Sequence, residues 1–474
     1  MNKLLITLCL AASFMLSGCY NSGEPREKVL KIYNWADYIG DGVLEDFQAY
    51  YKEQTGEDIR IVYQTFDINE IMLTKIEKGH EDFDVVCPSE YIIERMLKKD
   101  LLLPIDTVFP HSPDYMNDVS PYIREQIDKL SQPGRVASHY AVCYMWGTAG
   151  ILYNKAFVPD ADAESWSCLW DRKYAGKILM KDSYRDAYGT AIIYAHARDL
   201  AGGRVTVEDL MNDYSPRAME IAEKYLKAMK PNIAGWEADF GKEMMTKNKA
   251  WLNMTWSGDA KWAIEEADAV GVDLDYVVPR EGSNIWYDGW VIPKYAGNPE
   301  AASYFINFMC RPDVAMRNMM EIGYTCSFDP DKYIAGEDEF TIEAVNCLLE
   351  NEYVWEISDD EIAENYPDGD CIIKEIDGVK YDLTEFFGDH RRYPDFKKSE
   401  GTLGVMQDFG AQNDAVVSMW ERVKGGDEFP WKLIVAIVAC VAIVAGAFGL
   451  CFLVRHVKSK RQPHIDADSE QQTA

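Results

Sequence analysis

The sequence predicts an α/β fold in two lobes, held on the outer side of a membrane. Three observations lead there. Strand-like and helix-like segments alternate from residue 29 to residue 309, they are too many for one sheet, and an apolar run stands near each end of the chain. The 474 residues are 47% hydrophobic and 27% charged, a balance that supplies a packed core and excludes wholesale disorder.

The opening segment carries Lys3 and then a short apolar stretch, too brief to span a bilayer and shaped like a secretory signal, 1–18. Leu16-Ser17-Gly18-Cys19 resembles the lipobox of bacterial lipoproteins, which implies lipidation at Cys19. Near the other end, 433–454 is an uncharged run of 22 residues. At about 1.5 Å per residue it covers the hydrocarbon core as one transmembrane helix. Arg455, Lys458, Lys460 and Arg461 follow it, so the tail 455–474 is expected in the cytoplasm and the large domain outside.

Between these ends the periodicity assigns each element. Residues 29–33 read as a strand, and 42–51, apolar at 43, 44, 47 and 51, as a helix. A strand at 59–65, a helix at 69–78, a buried strand at 83–87 ended by Pro88 and a helix at 91–99 follow. Later come a strand at 177–180, a helix at 216–229, a strand at 251–256 running into a helix at 259–267, strands at 276–279 and 290–293, and a helix at 299–309. This alternation implies mostly parallel sheets covered by helices, one in each lobe. The stretch 329–391 is acidic, with Asp359-Asp360-Glu361 and Asp368-Gly369-Asp370 out of calcium-loop order, and reads as a solvated insertion.

Composition removes several functions. With 79 acidic against 48 basic side chains the net charge is -31, which repels nucleic acid. A cationic ligand fits that charge, and so does plain solubility. Eleven cysteines show no zinc spacing, and an odd number cannot pair completely within one chain. No GxSxG, HExxH, Walker or GxGxxG motif occurs, which speaks against an enzyme, and no metal or cofactor is expected.

Four short clusters set Trp or Tyr within three residues of Asp or Ser: Tyr33-Asn34-Trp35-Ala36-Asp37-Tyr38, Pro88-Ser89-Glu90-Tyr91, Trp256-Ser257-Gly258-Asp259 and Trp286-Tyr287-Asp288-Gly289. Each falls where a predicted strand gives way, the position that lines ligand crevices in α/β sheets. Aromatic faces attract cations and carboxylates neutralise them, so the clusters suit an alkylammonium ligand. Each residue also has a structural reading: the aromatics as packing, Asp259 as a helix-start acid, Asp288-Gly289 as a turn and Ser89 as a helix cap.

These clusters, with Asp84-Val85-Val86, Trp146-Gly147-Thr148, Phe308 to Ala315 and Ile322-Gly323-Tyr324, resemble the bacterial spermidine/putrescine-binding proteins, the substrate-binding subunits of polyamine ABC importers. The resemblance runs from about Leu30 to Phe328 and resumes from Tyr393 to Gly425. It implies a two-lobed class II periplasmic-binding fold, with lobe 1 from 28–141 and 286–328 and lobe 2 from 142–285 and 329–425. It implies Trp35, Tyr38, Tyr91, Trp256, Trp286 and Tyr324 as aromatic walls, Ser89 as an amine acceptor and Asp288 as the principal acid. Asp186, with Asp37 or Asp259, would serve the other ammonium groups. The implied partners are a polyamine, an ABC permease with its ATPase, and the membrane.

The chain departs from that pattern where Ser183 stands in place of an aspartate and where the 329–391 insertion and the C-terminal helix are added. Asp37 and Asp259 resemble the putrescine branch and Trp286 the spermidine branch, so the preferred polyamine is open. The expected function is delivery of a polyamine to the importer without chemistry. The rivals are a binder of another cationic solute, a sensory ectodomain and an extracellular hydrolase.

Overall fold

A computed structural model describes residues 25–105, 114–237, 240–389, 391 and 402–425. The expected signal, Cys19, the membrane helix 433–454 and the tail lie outside them; among the described residues no helix is long and apolar enough to cross a membrane. The chain divides into two compact units, Met1–Met419 and Trp420–Ala474. The second is described only through the end of the helix Asn413–Lys424 and Gly425. The first holds the entire main sheet.

The main strands are β1 Val29–Trp35, β2 Arg60–Phe66, β3 Val85–Val86, β4 Leu102–Leu103, β5 Ala141–Asn154, β6 Ile178–Lys181, β7 Ile233–Glu237, β8 Leu252–Trp256, β9 Leu274–Val277 and β10 Ser283–Pro293. They lie on one path, β2-β1-β3-β10-β5-β8-β6-β7, with β4 on β10 and β9 on β5. β1 pairs in parallel with β2 and β3, and β6 in parallel with β7 and β8. The predicted alternation therefore holds within each half. The helices Val43–Thr55, Asn69–Glu77 and Glu90–Lys98 belong to the first half. Pro216–Met229 starts where the sequence places it, with Ser215 accepting from Ala218 N and Pro216 at the first helical position.

The two halves are not separate sheets. β5 runs antiparallel to β10 over Ala141–Thr148, then changes partner and runs antiparallel to β8 and β9. All 14 of its residues are buried, so it carries no alternation that a sequence pattern could register.

The segment 329–391, expected as a solvated insertion of the second lobe, requires correction. Among the described residues it folds into the helices Pro330–Ala335, Glu339–Glu350, Asp359–Asn365 and Thr384–Gly388 and a separate three-stranded sheet. Ala344, Val345, Leu348 and Phe386 join the same apolar core as Ile32, Phe308 and Met316. The acidic run Asp359-Asp360-Glu361 forms a first helical turn, where Ser358 and Glu361 cap each other reciprocally. Tyr353 also reaches the helix Ser257–Asp268 that follows β8, its hydroxyl donating to Glu265 at 2.7 Å.

Candidate ligand-binding site

The site grows from one face of β10. Side chains two apart share a strand face, so Asn284, Trp286 and Asp288 point the same way. Asp288 is 7% exposed. Its Oδ2 accepts from the Tyr38 hydroxyl at 2.9 Å and its Oδ1 from Ser89 Oγ at 2.7 Å. Ser89 stands at the N-cap of Glu90–Lys98, yet its hydroxyl makes no capping bond; it is committed to Asp288 instead. A register shift between Asp288 and Gly289 re-aims β10 at this point.

Burial pushes the Asp288 carboxyl up to about 6, against the lowering bonds from Ser89 and Tyr38. Glu90, 3% exposed, lies behind it and accepts from Tyr287 N at 3.3 Å. Burial pushes Glu90 up to about 8; Arg185 opposes that rise and Asp288 adds to it. The arrangement is a buried pair of acids with hydroxyl donors and no ion-paired base on Asp288 among the described residues.

From Asp288 a chain of rings leads away. Tyr38 and Tyr324 are 6.1 Å apart, Tyr324 meets Trp286 edge-on at 4.9 Å, and Trp286 lies 6.4 Å from Trp256. The far end is again acidic: Asp186 Oδ2 accepts from Trp256 Nε1 at 3.2 Å and Oδ1 from Asn284 Nδ2 at 3.5 Å. Asp186 lies in the first turn of Tyr184–Ala195, where the helix dipole favours an anion. The result is an aromatic wall with a buried carboxylate at each end.

Glycines make room for this wall. A Cβ on Gly258 would come within 2.2 Å of the Tyr324 ring, and one on Gly147 within 2.7 Å of Trp286. Gly258→Ala is therefore expected to displace Tyr324 and to weaken ligand binding by about tenfold, with a cost of roughly 1–3 kcal/mol in stability. Calorimetric titration with a urea melt checks it, and unchanged affinity would remove Tyr324 from the site.

Other expected residues are placed differently. Asp259 does not face the trough unpaired: Lys181 Nζ is 2.8 Å from Oδ2 and Lys242 Nζ 3.3 Å from Oδ1. Burial alone would raise its pKa, but the two lysines hold it below the usual carboxylate value. Tyr91 has Arg185 over its ring at 3.8 Å and hydrogen bonds with Asn69 and Glu70, so that face already carries a cation. Trp35 packs on Phe66 at 4.5 Å, and Asp37 is exposed in a turn at φ 51°. Arg185 is held over Tyr91 by hydrogen bonds to the backbone carbonyls of Met406 and Gln407.

The sequence reading gave no separate role to Glu90, Arg185, Asn69, Glu70 or Lys181. Glu90 was legible beside Ser89, and Lys181 and Arg185 lie at a strand end and helix start next to Asp186. Lys181 and Arg185 carry the same sign of charge as a cationic ligand, so charge alone does not mark them as part of its site.

Residues 46–329, well over half the chain, match the bacterial extracellular solute-binding protein family. The chain belongs to that family. This solute-binding protein is 30% identical over 317 residues to the spermidine/putrescine-binding periplasmic protein of Escherichia coli, covering 66% of this chain and 82% of that one. It is 29% identical over 322 residues to a putrescine-binding periplasmic protein of Pseudomonas aeruginosa, covering 66% and 80%. Among solved structures, the spermidine/putrescine ABC transporter substrate-binding protein of Streptococcus pneumoniae superposes with a TM-score of 0.58 at 28% identity, covering 84% of this chain and 98% of that one. The periplasmic-binding fold is thus established, and the relatives are binding proteins rather than enzymes.

Proposed function

We propose that this protein binds a polyamine outside the membrane and delivers it to an ABC permease and its ATPase. The observation that carries the reading is Asp288, a buried carboxylate held by two hydroxyls at one end of an aromatic wall that ends in Asp186. Alkylammonium groups neutralise the acids while their methylenes cover the rings. The names of the relatives support the same ligand class.

The halves of the sheet act as lobes that close about β5 and β10, 28–141 with 286–328 against 142–285. Residues 329–391 pack mainly with the first. Closure contacts are supplied by Arg185 over Tyr91 and by the Tyr184 hydroxyl on Glu70 at 3.3 Å. A lipid on Cys19 and the helix 433–454 keep the binder beside its transporter and raise its effective concentration there, with 455–474 in the cytoplasm. Uptake of labelled putrescine and spermidine should fall to the background in cells lacking the protein and return with the unaltered gene but not with an Asp288→Asn copy. Undiminished uptake in the deletion strain would contradict the delivery role.

A further inference from the structure

The trough has a neighbour with the same chemistry, already filled by the chain. Lys181 ends β6, next to the end of β8 where Trp256 stands. Its side chain is 5% exposed. Its Nζ is 2.8 Å from Asp259 Oδ2, 3.4 Å from Glu237 Oε2 and 4.2 Å from the centre of the Trp256 ring. Two carboxylates and an indole face are the groups that receive an alkylammonium ion. Trp256 stands between this box and the trough, with its indole N–H on Asp186 and its ring 6.4 Å from Trp286.

We propose that Lys181 is a built-in ammonium that fills this box, closes one end of the trough and sets ligand length, so that a linear diamine is accepted and a triamine is disfavoured. The inference rests on the polyamine reading above and narrows it. Two carboxylates remain for the ligand, Asp288 and Asp186. Asn284, which contacts Asp186, lies four residues from Asp288 along β10, about 13 Å at roughly 3.3 Å per residue. Those acids bracket a short dication. A longer cation would carry its next ammonium toward Trp256, where Asp259 and Glu237 already hold Lys181 and Asp259 also holds Lys242, so its charge would meet acids that are already neutralised.

The test is calorimetric titration of the full chain in detergent with putrescine and spermidine, before and after Lys181→Met. The unaltered protein is expected to prefer putrescine by about tenfold, and the variant to gain about tenfold for spermidine while changing little for putrescine. An unchanged ratio in a folded variant overturns the proposal and leaves the polyamine reading standing. If the unaltered protein binds neither amine, both fall. A diamine length series on the unaltered protein decides the matter should the variant not fold. Affinity should peak at four or five carbons and drop about tenfold by eight, whereas undiminished affinity for the eight-carbon diamine overturns the proposal.

Discussion

Asp288→Asn is expected to lower polyamine affinity by roughly 100-fold, about 3 kcal/mol, while leaving the protein folded. The amide matches the carboxylate in size; its oxygen still accepts from one of the two hydroxyls, and its NH2 group donates to the other, which turns to accept. What it lacks is the charge. An ammonium brought out of water against a neutral group keeps its full desolvation cost without a counter-charge, which is why losing one partner of a buried pair costs far more than the pair contributes net. The ligand-free variant should be at least as stable as the parent, because burying the carboxylate is itself unfavourable. Calorimetry and thermal melts of both forms check these outcomes. Affinity within about threefold of the parent would remove Asp288 from the binding role.

The second large effect concerns pH. Asp288 titrates at about 6 and Glu90 at about 8 in the folded protein, both raised by burial above ordinary carboxyl values. Between about pH 4 and 8 the folded state therefore holds more protons on these two groups than the unfolded state does. By linkage their contribution to stability falls as pH rises through that window, by up to about 1.4 kcal/mol per unit for each group. Ligand binding has the opposite slope, since the ammonium needs the ionised acid. Affinity should rise about tenfold from pH 5 to pH 7 and be accompanied by proton release near pH 6. Titrations in two buffers of different ionisation enthalpy measure that release. Comparing melts of Glu90→Gln with the parent isolates the upper part of the stability window. Tighter binding at pH 5 than at pH 7 would reverse the assignment of charge to the site.

Legibility in the sequence followed the physics of each element. Helices such as Pro216–Met229 and Pro299–Met309 announce themselves through proline at the first turn and a 3.6-residue apolar period. β5 does not, because a strand buried on both faces and shared by two half-sheets has no polar side to alternate with. The insertion misled for a related reason: its exposed acids dominate composition, while a handful of positions, including Val345 and Leu348, fasten it to the core. Within the site, the residue types of Tyr38, Ser89, Trp286 and Asp288 pointed to a common place, although Trp286 and Asp288, expected where a strand gives way, lie inside β10. Pairing was not legible. That Asp259 is neutralised by Lys181 and Lys242, or that Tyr91 stacks under Arg185, depends on side chains from distant segments meeting, and no spacing encodes it.

In the proposed function, this solute-binding protein recognises the positive charge of a polyamine through its buried acids. Calorimetric titration of the full chain in detergent with putrescine, spermidine and 1,4-butanediol, the neutral isostere of putrescine, is the test. Saturable one-to-one binding of at least one amine is expected, with no heat of binding from the diol. Binding of the diol as tight as that of the amines, or no binding of either amine, would contradict it.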